Sequence, residues 1–103
     1  MSYKLRFVQS FKQEHIKEYL KLEKLFVEME KESAGFPKGR RYIPITGKEP
    51  SNTLIWESEF ETLKEAQDAL ALIISDNRHE ELFQQQVPYI LYTHTEIYKP
   101  FDE

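Results

Sequence analysis

The sequence predicts an α+β fold of the ferredoxin-like kind, with elements in the order βαββαβ. Three observations carry that expectation. Aromatic-rich runs with period-two alternation occur at Tyr3–Phe11, Asn52–Phe60 and Tyr89–Tyr98, and they read as strands. Two stretches with apolar residues at three- and four-residue steps lie between these runs, and each is opened by a capping-box pattern. A further strand-like run, Arg40–Thr46, contains Pro44, which has no N–H for a ladder and so belongs at a sheet edge.

Each element has its own local reason. Tyr3, Leu5, Phe7, Gln9 and Phe11 alternate with Lys4, Arg6, Val8 and Ser10, which gives the first strand two unlike faces. Ser10 to Gln13 spells S-x-x-Q, a candidate capping box for the helix that follows. Ile16, Tyr19, Leu20, Leu22, Leu25, Phe26 and Met29 form its apolar stripe through Lys31, with Gly35 and Pro37 as stop signals. "TGKEPSN" is a turn-rich connection into the third strand, which contains the only tryptophan, Trp56. Thr62 to Glu65 is a second capping box, and Leu63, Ala66, Leu70 and Ile73 are the stripe of the helix it opens. "SDN" interrupts that helix. Asn77 with Glu80 can cap a shorter one, which ends before Pro88. There is no internal repeat, linker or low-complexity segment, so residues 1–103 read as one domain.

Right-handed crossovers are expected to place the first and third strands side by side and parallel at the centre, with the second and fourth at the edges. Both helices then cover one face of the sheet, the face of Leu5, Phe7, Leu54, Trp56 and Phe60. The other face carries Lys4, Arg6, Val8, Thr53, Ile55, Glu57 and Glu59, with Ile90, Tyr92, His94, Glu96 and Tyr98 on the last strand. Such a mixed face can be solvated in a monomer or can meet a copy of itself across a two-fold axis.

Composition bounds the function. The chain of 103 residues has a formal net charge of -4 and no cysteine. The first makes nucleic acid a poor partner, since such binding needs many phosphate contacts. The second excludes disulfides, thiolate metal sites and a cysteine nucleophile. The start has no apolar leader and no run has membrane-spanning length, so a cytoplasmic location is the expectation. Lys38, Arg40, Arg41 and Lys48 form the one basic cluster; it reads as a solvated edge strand or as an anion site centred on Arg40 and Arg41.

A strand ending in "WES", an Ala- and Leu-rich helix, a short helix beginning "DNRHEELF", then "VPY" and a long last strand together resemble the dimeric α+β barrel superfamily. Its antibiotic-biosynthesis-monooxygenase-like and NIPSNAP-like domains are the nearest in kind. The resemblance covers nearly the whole chain in element order. It implies that two ferredoxin-like subunits join their sheets as a homodimer. It also implies a pocket between sheet and helices in each subunit, bordered by Trp56 and Phe7. Members of the superfamily include cofactor-independent oxygenases, haem-degrading enzymes, chlorite dismutase-type haem proteins and small domains without known activity.

The same resemblance makes His79 the best candidate for a general base or ligand contact, since members often carry a histidine before a phenylalanine in this region. His94 and Tyr92 are the other candidates, and each also reads as an ordinary surface or sheet-face residue. His15, His79 and His94 share no metal-ligand spacing, so no metal is expected. Haem-degrading relatives use an asparagine on the first strand and a histidine in the second helical region. Here residues 1–11 contain no asparagine, and "QQQV" follows Phe83. No phosphate loop, dinucleotide fingerprint, serine-hydrolase elbow or RNA-recognition signature is present, and no cofactor is expected. Two functions stay open: a protein that binds a small apolar or aromatic molecule, with or without catalysis, and a non-catalytic interaction module.

Overall fold

The computed structural model describes residues 2–101. The chain runs β1 (Tyr3–Phe11), α1 (Ile16–Glu32), β2 (Arg40–Tyr42), β3 (Thr53–Phe60), α2 (Leu63–Ser75), α3 (Asn77–Gln86) and β4 (Ile90–Tyr98). One four-stranded sheet has the order β2-β3-β1-β4, with β2 and β4 at its edges. This is the α+β ferredoxin-like architecture.

Every strand pair is antiparallel, including β1 with β3, where a parallel pair was expected. The crossover rule governs strands joined through a helix, which here are β1 with β2 and β3 with β4. The β2–β3 connection turns the chain back, so β3 slots between β1 and β2 and runs against both.

β2 is only three residues long, not the full Arg40–Thr46 run. Its ladder stops short of Pro44, which has no N–H to continue it. Ser10 is not a helix cap. It remains in β1, 2% exposed and paired with Thr53 and Tyr92, and a 3-10 turn at Gln13–His15 leads into α1 instead. Thr62 does cap α2: its Oγ1 accepts from Glu65 N at 3.1 Å, while Glu65 Oε2 reaches back one residue beyond the cap and accepts from Glu61 N at 3.3 Å. Thr62→Ala should therefore cost about 1 kcal/mol of stability, measurable by denaturant unfolding, through an orphaned helix N–H. The cap of α3 is Asp76, not Asn77; its Oδ1 accepts from His79 N at 2.9 Å.

Leu5, Phe26, Met29, Phe36, Trp56, Ala69 and Ile73 form the main core between sheet and helices. Phe11, Tyr19 and Leu54 form a second cluster, which Ile90 joins. Ile90 was expected on the opposite face. A register shift between Ser10 and Phe11 moves it to the helix side, while Tyr92, His94, Glu96 and Tyr98 stay across from it.

That open face is ordered in rows. Arg40, Glu57, Arg6 and Glu96 lie in register across the four strands, with Arg6 Nε 2.9 Å from Glu57 Oε2. Cross-strand opposite charges stabilise such a row. Beside it run Tyr42, Ile55, Val8 and His94. Residues 43–51 link β2 to β3, and Glu49 reaches the far edge to accept a hydrogen bond from Tyr92 Oη. Among the described residues no helix is long and apolar enough to cross a membrane.

Candidate functional site

The helix-facing side of the sheet holds a cavity of about 300 Å³. Its apolar wall comes from Phe7 and Trp56 on the central strands, Phe26 on α1, Phe36 after it, and Ile73 and Phe83 on the later helices. The Phe7 and Trp56 rings meet at 5.2 Å, tilted by 49°. Trp56 is 7% exposed, so it fills core and borders the cavity together.

A polar cluster forms the other wall. α1 brings Tyr19, Glu23, Phe26 and Glu30 onto one stripe by steps of four, three and four residues, and all are buried. Two carboxylates thereby lie on a core-facing surface. Arg41, from β2, spans them: its Nε donates to Glu23 Oε2 at 2.6 Å, its Nη1 to Glu30 Oε1 at 3.2 Å, and its Nη2 to Glu30 Oε2. Trp56 Nε1 and Gly39 N each donate to Glu30 Oε1 at 3.3 Å, and Gln86 Nε2 donates to Glu23 Oε1 at 2.9 Å. Burial alone would lower the Arg41 pKa, but the Glu30 hydrogen bonds and the Glu23 charge reverse it, and the net shift is upward. Tyr19 Oη donates to Gln9 Oε1, and burial pushes its hydroxyl well above the usual tyrosine range.

Gly39 is fixed by this packing. A Cβ there would lie 2.2 Å from the Trp56 indole, a rigid ring held between Phe7 and Glu30. Gly39→Ala should cost about 1–3 kcal/mol as overpacking, read as a lowered unfolding midpoint with an unchanged denaturant slope.

His79 lies at the first turn of α3 with its ring 5.1 Å from that of Phe26 and 6.5 Å from that of Phe36. Its ring nitrogens have no hydrogen-bond partner among the described residues. Burial lowers its pKa below the ordinary 6.5, against the raising pull of Asp76, Glu23, Glu80 and Glu30. Its imidazole is therefore neutral at pH 7, and either a base or an acceptor. The unfolded chain takes up this proton at higher pH than the folded one. This contribution to stability is therefore full above about pH 6.5 and is lost as the pH falls through the folded-state value. Chemical unfolding at pH 7.5 and 5.5 should show a smaller acid loss in His79→Gln than in the parent chain.

Phe7, Trp56, Arg41 and His79 thus share one cavity. Arg41 is not an open anion site there, since two carboxylates occupy it. Arg40 lies on the opposite face of the sheet, in register with Glu57. Tyr92 and His94 lie on that face too, rings stacked at 6.0 Å, with His94 Nε2 3.2 Å from Glu96 Oε2. Glu96 is held below the usual carboxylate range, first by the Tyr98 hydroxyl, which donates to it at 2.7 Å. Among the described residues no three His, Asp or Glu side chains gather as a metal-ligand set. Sequence reading missed Glu23, Glu30 and Gln86. The available signal was two glutamates seven residues apart, in phase with Tyr19 and Phe26.

No protein-family model and no curated protein sequence matches the chain. Solved structures do. A NIPSNAP family protein of unknown function from Agrobacterium tumefaciens aligns with a TM-score of 0.72 at 21% identity, over 96% of this chain and 87% of that one. A conserved protein from Methanosarcina mazei aligns at 0.69 and 16%, over 96% and 92%. An antibiotic biosynthesis monooxygenase aligns at 0.72 and 12%, over 95% and 97%. At these identities the likeness is one of fold: the chain has the ferredoxin-like α+β fold of NIPSNAP and antibiotic-biosynthesis-monooxygenase structures.

Proposed function

We propose that this protein is a single-domain, cytoplasmic homodimer that binds a small apolar or aromatic molecule between its sheet and helices. The observation that carries the reading is the aromatic-walled cavity beside Trp56, whose volume of about 300 Å³ lies at the lower end of small-molecule sites. Polar groups, Arg41, Glu23, Glu30 and His79 among them, line the same cavity and can orient a ligand. A ligand that binds only the folded state raises the melting temperature with its concentration. A panel of apolar aromatic compounds should therefore contain members that raise it saturably, and silence across a broad panel would remove the reading.

The dimer part rests on the open sheet face. Its row of alternating charges, Arg40, Glu57, Arg6 and Glu96, is partly exposed and could pair with the same row of a second copy. Light scattering at micromolar concentration should give about twice the 12.4 kDa chain mass. A clean monomer would return this face to solvent.

A catalytic reading has one specific support, the neutral and unpartnered His79 imidazole in the cavity. It could take a proton from a bound substrate without any cofactor, as the fold likeness to a monooxygenase allows. Turnover abolished by His79→Gln, with ligand binding retained, would establish it.

A further inference from the structure

We infer that the cavity selects an organic cation, a molecule with an apolar or aromatic body and a protonated amine. This inference rests on the small-molecule reading above and specifies the ligand's charge. Two features of the cavity point the same way. Its lining holds three carboxylates, Glu23, Glu30 and Glu80, against one guanidinium, Arg41, which leaves two formal negative charges. Arg41 cannot offset an incoming anion, because its bonds already run to Glu23 and Glu30. A bound carboxylate would thus meet excess negative charge in a partly desolvated site.

The second feature is the aromatic wall. Phe26, Phe36, Trp56 and Phe83 enclose the same space, and the negative faces of such rings attract ammonium groups within about 6 Å. His79 adds a neutral acceptor between Phe26 and Phe36, within the field of Asp76, Glu23, Glu80 and Glu30. A protonated amine placed there gains a ring face, an imidazole nitrogen and unbalanced carboxylate charge, set against the same desolvation that keeps His79 neutral. An alcohol of the same shape gains only part of this, and a carboxylate loses on each count.

The test uses the whole protein and three probes with one phenyl-alkyl frame: 4-phenylbutylamine, 4-phenylbutanol and 4-phenylbutyrate. Calorimetric titration at pH 7 should show the amine binding about tenfold tighter than the alcohol, with no saturable binding of the carboxylate. Glu80 is an exposed residue of α3 whose side chain, among the described residues, accepts one hydrogen bond, from Gln84 Nε2 at 2.9 Å, so Glu80→Gln leaves the buried cluster in place. That variant should lower the amine's affinity about threefold, and more than the alcohol's. Equal affinities for amine and alcohol, or tighter binding of the carboxylate, would overturn the inference and leave the small-molecule reading standing. An amine preference untouched by Glu80→Gln would contradict its attribution to the cavity's carboxylates. Failure of all three probes to bind would overturn the inference, and only silence of the broad aromatic panel as well would remove the small-molecule reading.

Discussion

Arg41→Ala should be the most damaging single substitution on the polar side of the cavity, with an expected loss of about 3–5 kcal/mol. Glu23 and Glu30 are 9% and 6% exposed, and among the described residues the guanidinium is the only cation bonded to either. Its removal leaves two carboxylates facing each other away from water, where each lacks the charge that made its burial tolerable. The loss should be largely recovered in the triple variant Arg41→Met, Glu23→Gln, Glu30→Gln, which keeps volume and hydrogen bonds without isolated charge. Denaturant unfolding of the three proteins at pH 7 reads both. A single variant as stable as the parent would show that the cluster is solvated and the bridge incidental.

Trp56→Ala should lose a similar amount, about 3–5 kcal/mol, for a different reason. The indole is 7% exposed, packs on Phe7 at 5.2 Å, and satisfies Glu30 through its N–H. Truncation leaves a void open to the existing cavity and removes one donor from a buried carboxylate. Trp56→Phe keeps most of the buried surface and should lose clearly less, while weakening any ligand held against the indole. Similar losses for both variants would place the cost in the hydrogen bond to Glu30 and not in packing.

How far the sequence discloses this structure depends on which physics acts locally. Strand alternation, the Thr62 cap and the Pro44 edge signal are properties of a few adjacent residues, and they place the elements, the edges and the helix-facing parity of Trp56 correctly. Strand direction is not local. It depends on which neighbours the crossovers leave room for, and β1 with β3 pairs antiparallel accordingly. Ser10 fits a cap pattern, yet its backbone is held in the ladder by strands more than forty residues away. Ile90 changes face because of one bulge, which alternation alone does not encode.

The candidate site was legible only in part. The family resemblance points to Phe7, Trp56 and His79 and the basic cluster to Arg41, and the four meet in one cavity. What joins them is the pair Glu23 and Glu30, hidden because glutamates on a helix ordinarily mark its solvent side. Arg41 read as a free cation for the same reason: its partners lie 18 and 11 residues away on another element. Nothing local to Gly39 marks its role, which is to make room for the indole by lacking a side chain.

The central claim is that the space beside Trp56 is a ligand site. Trp56 is the sole tryptophan, so one indole N–H resonance in a proton–nitrogen correlation spectrum reports on that space alone. Titration with the neutral probe 4-phenylbutanol should move this resonance saturably, together with the amides of Phe26 and His79, and leave the amides of Val8 and His94 on the far sheet face in place. An unmoved indole resonance, with any shifts gathered on the open face instead, would contradict the account.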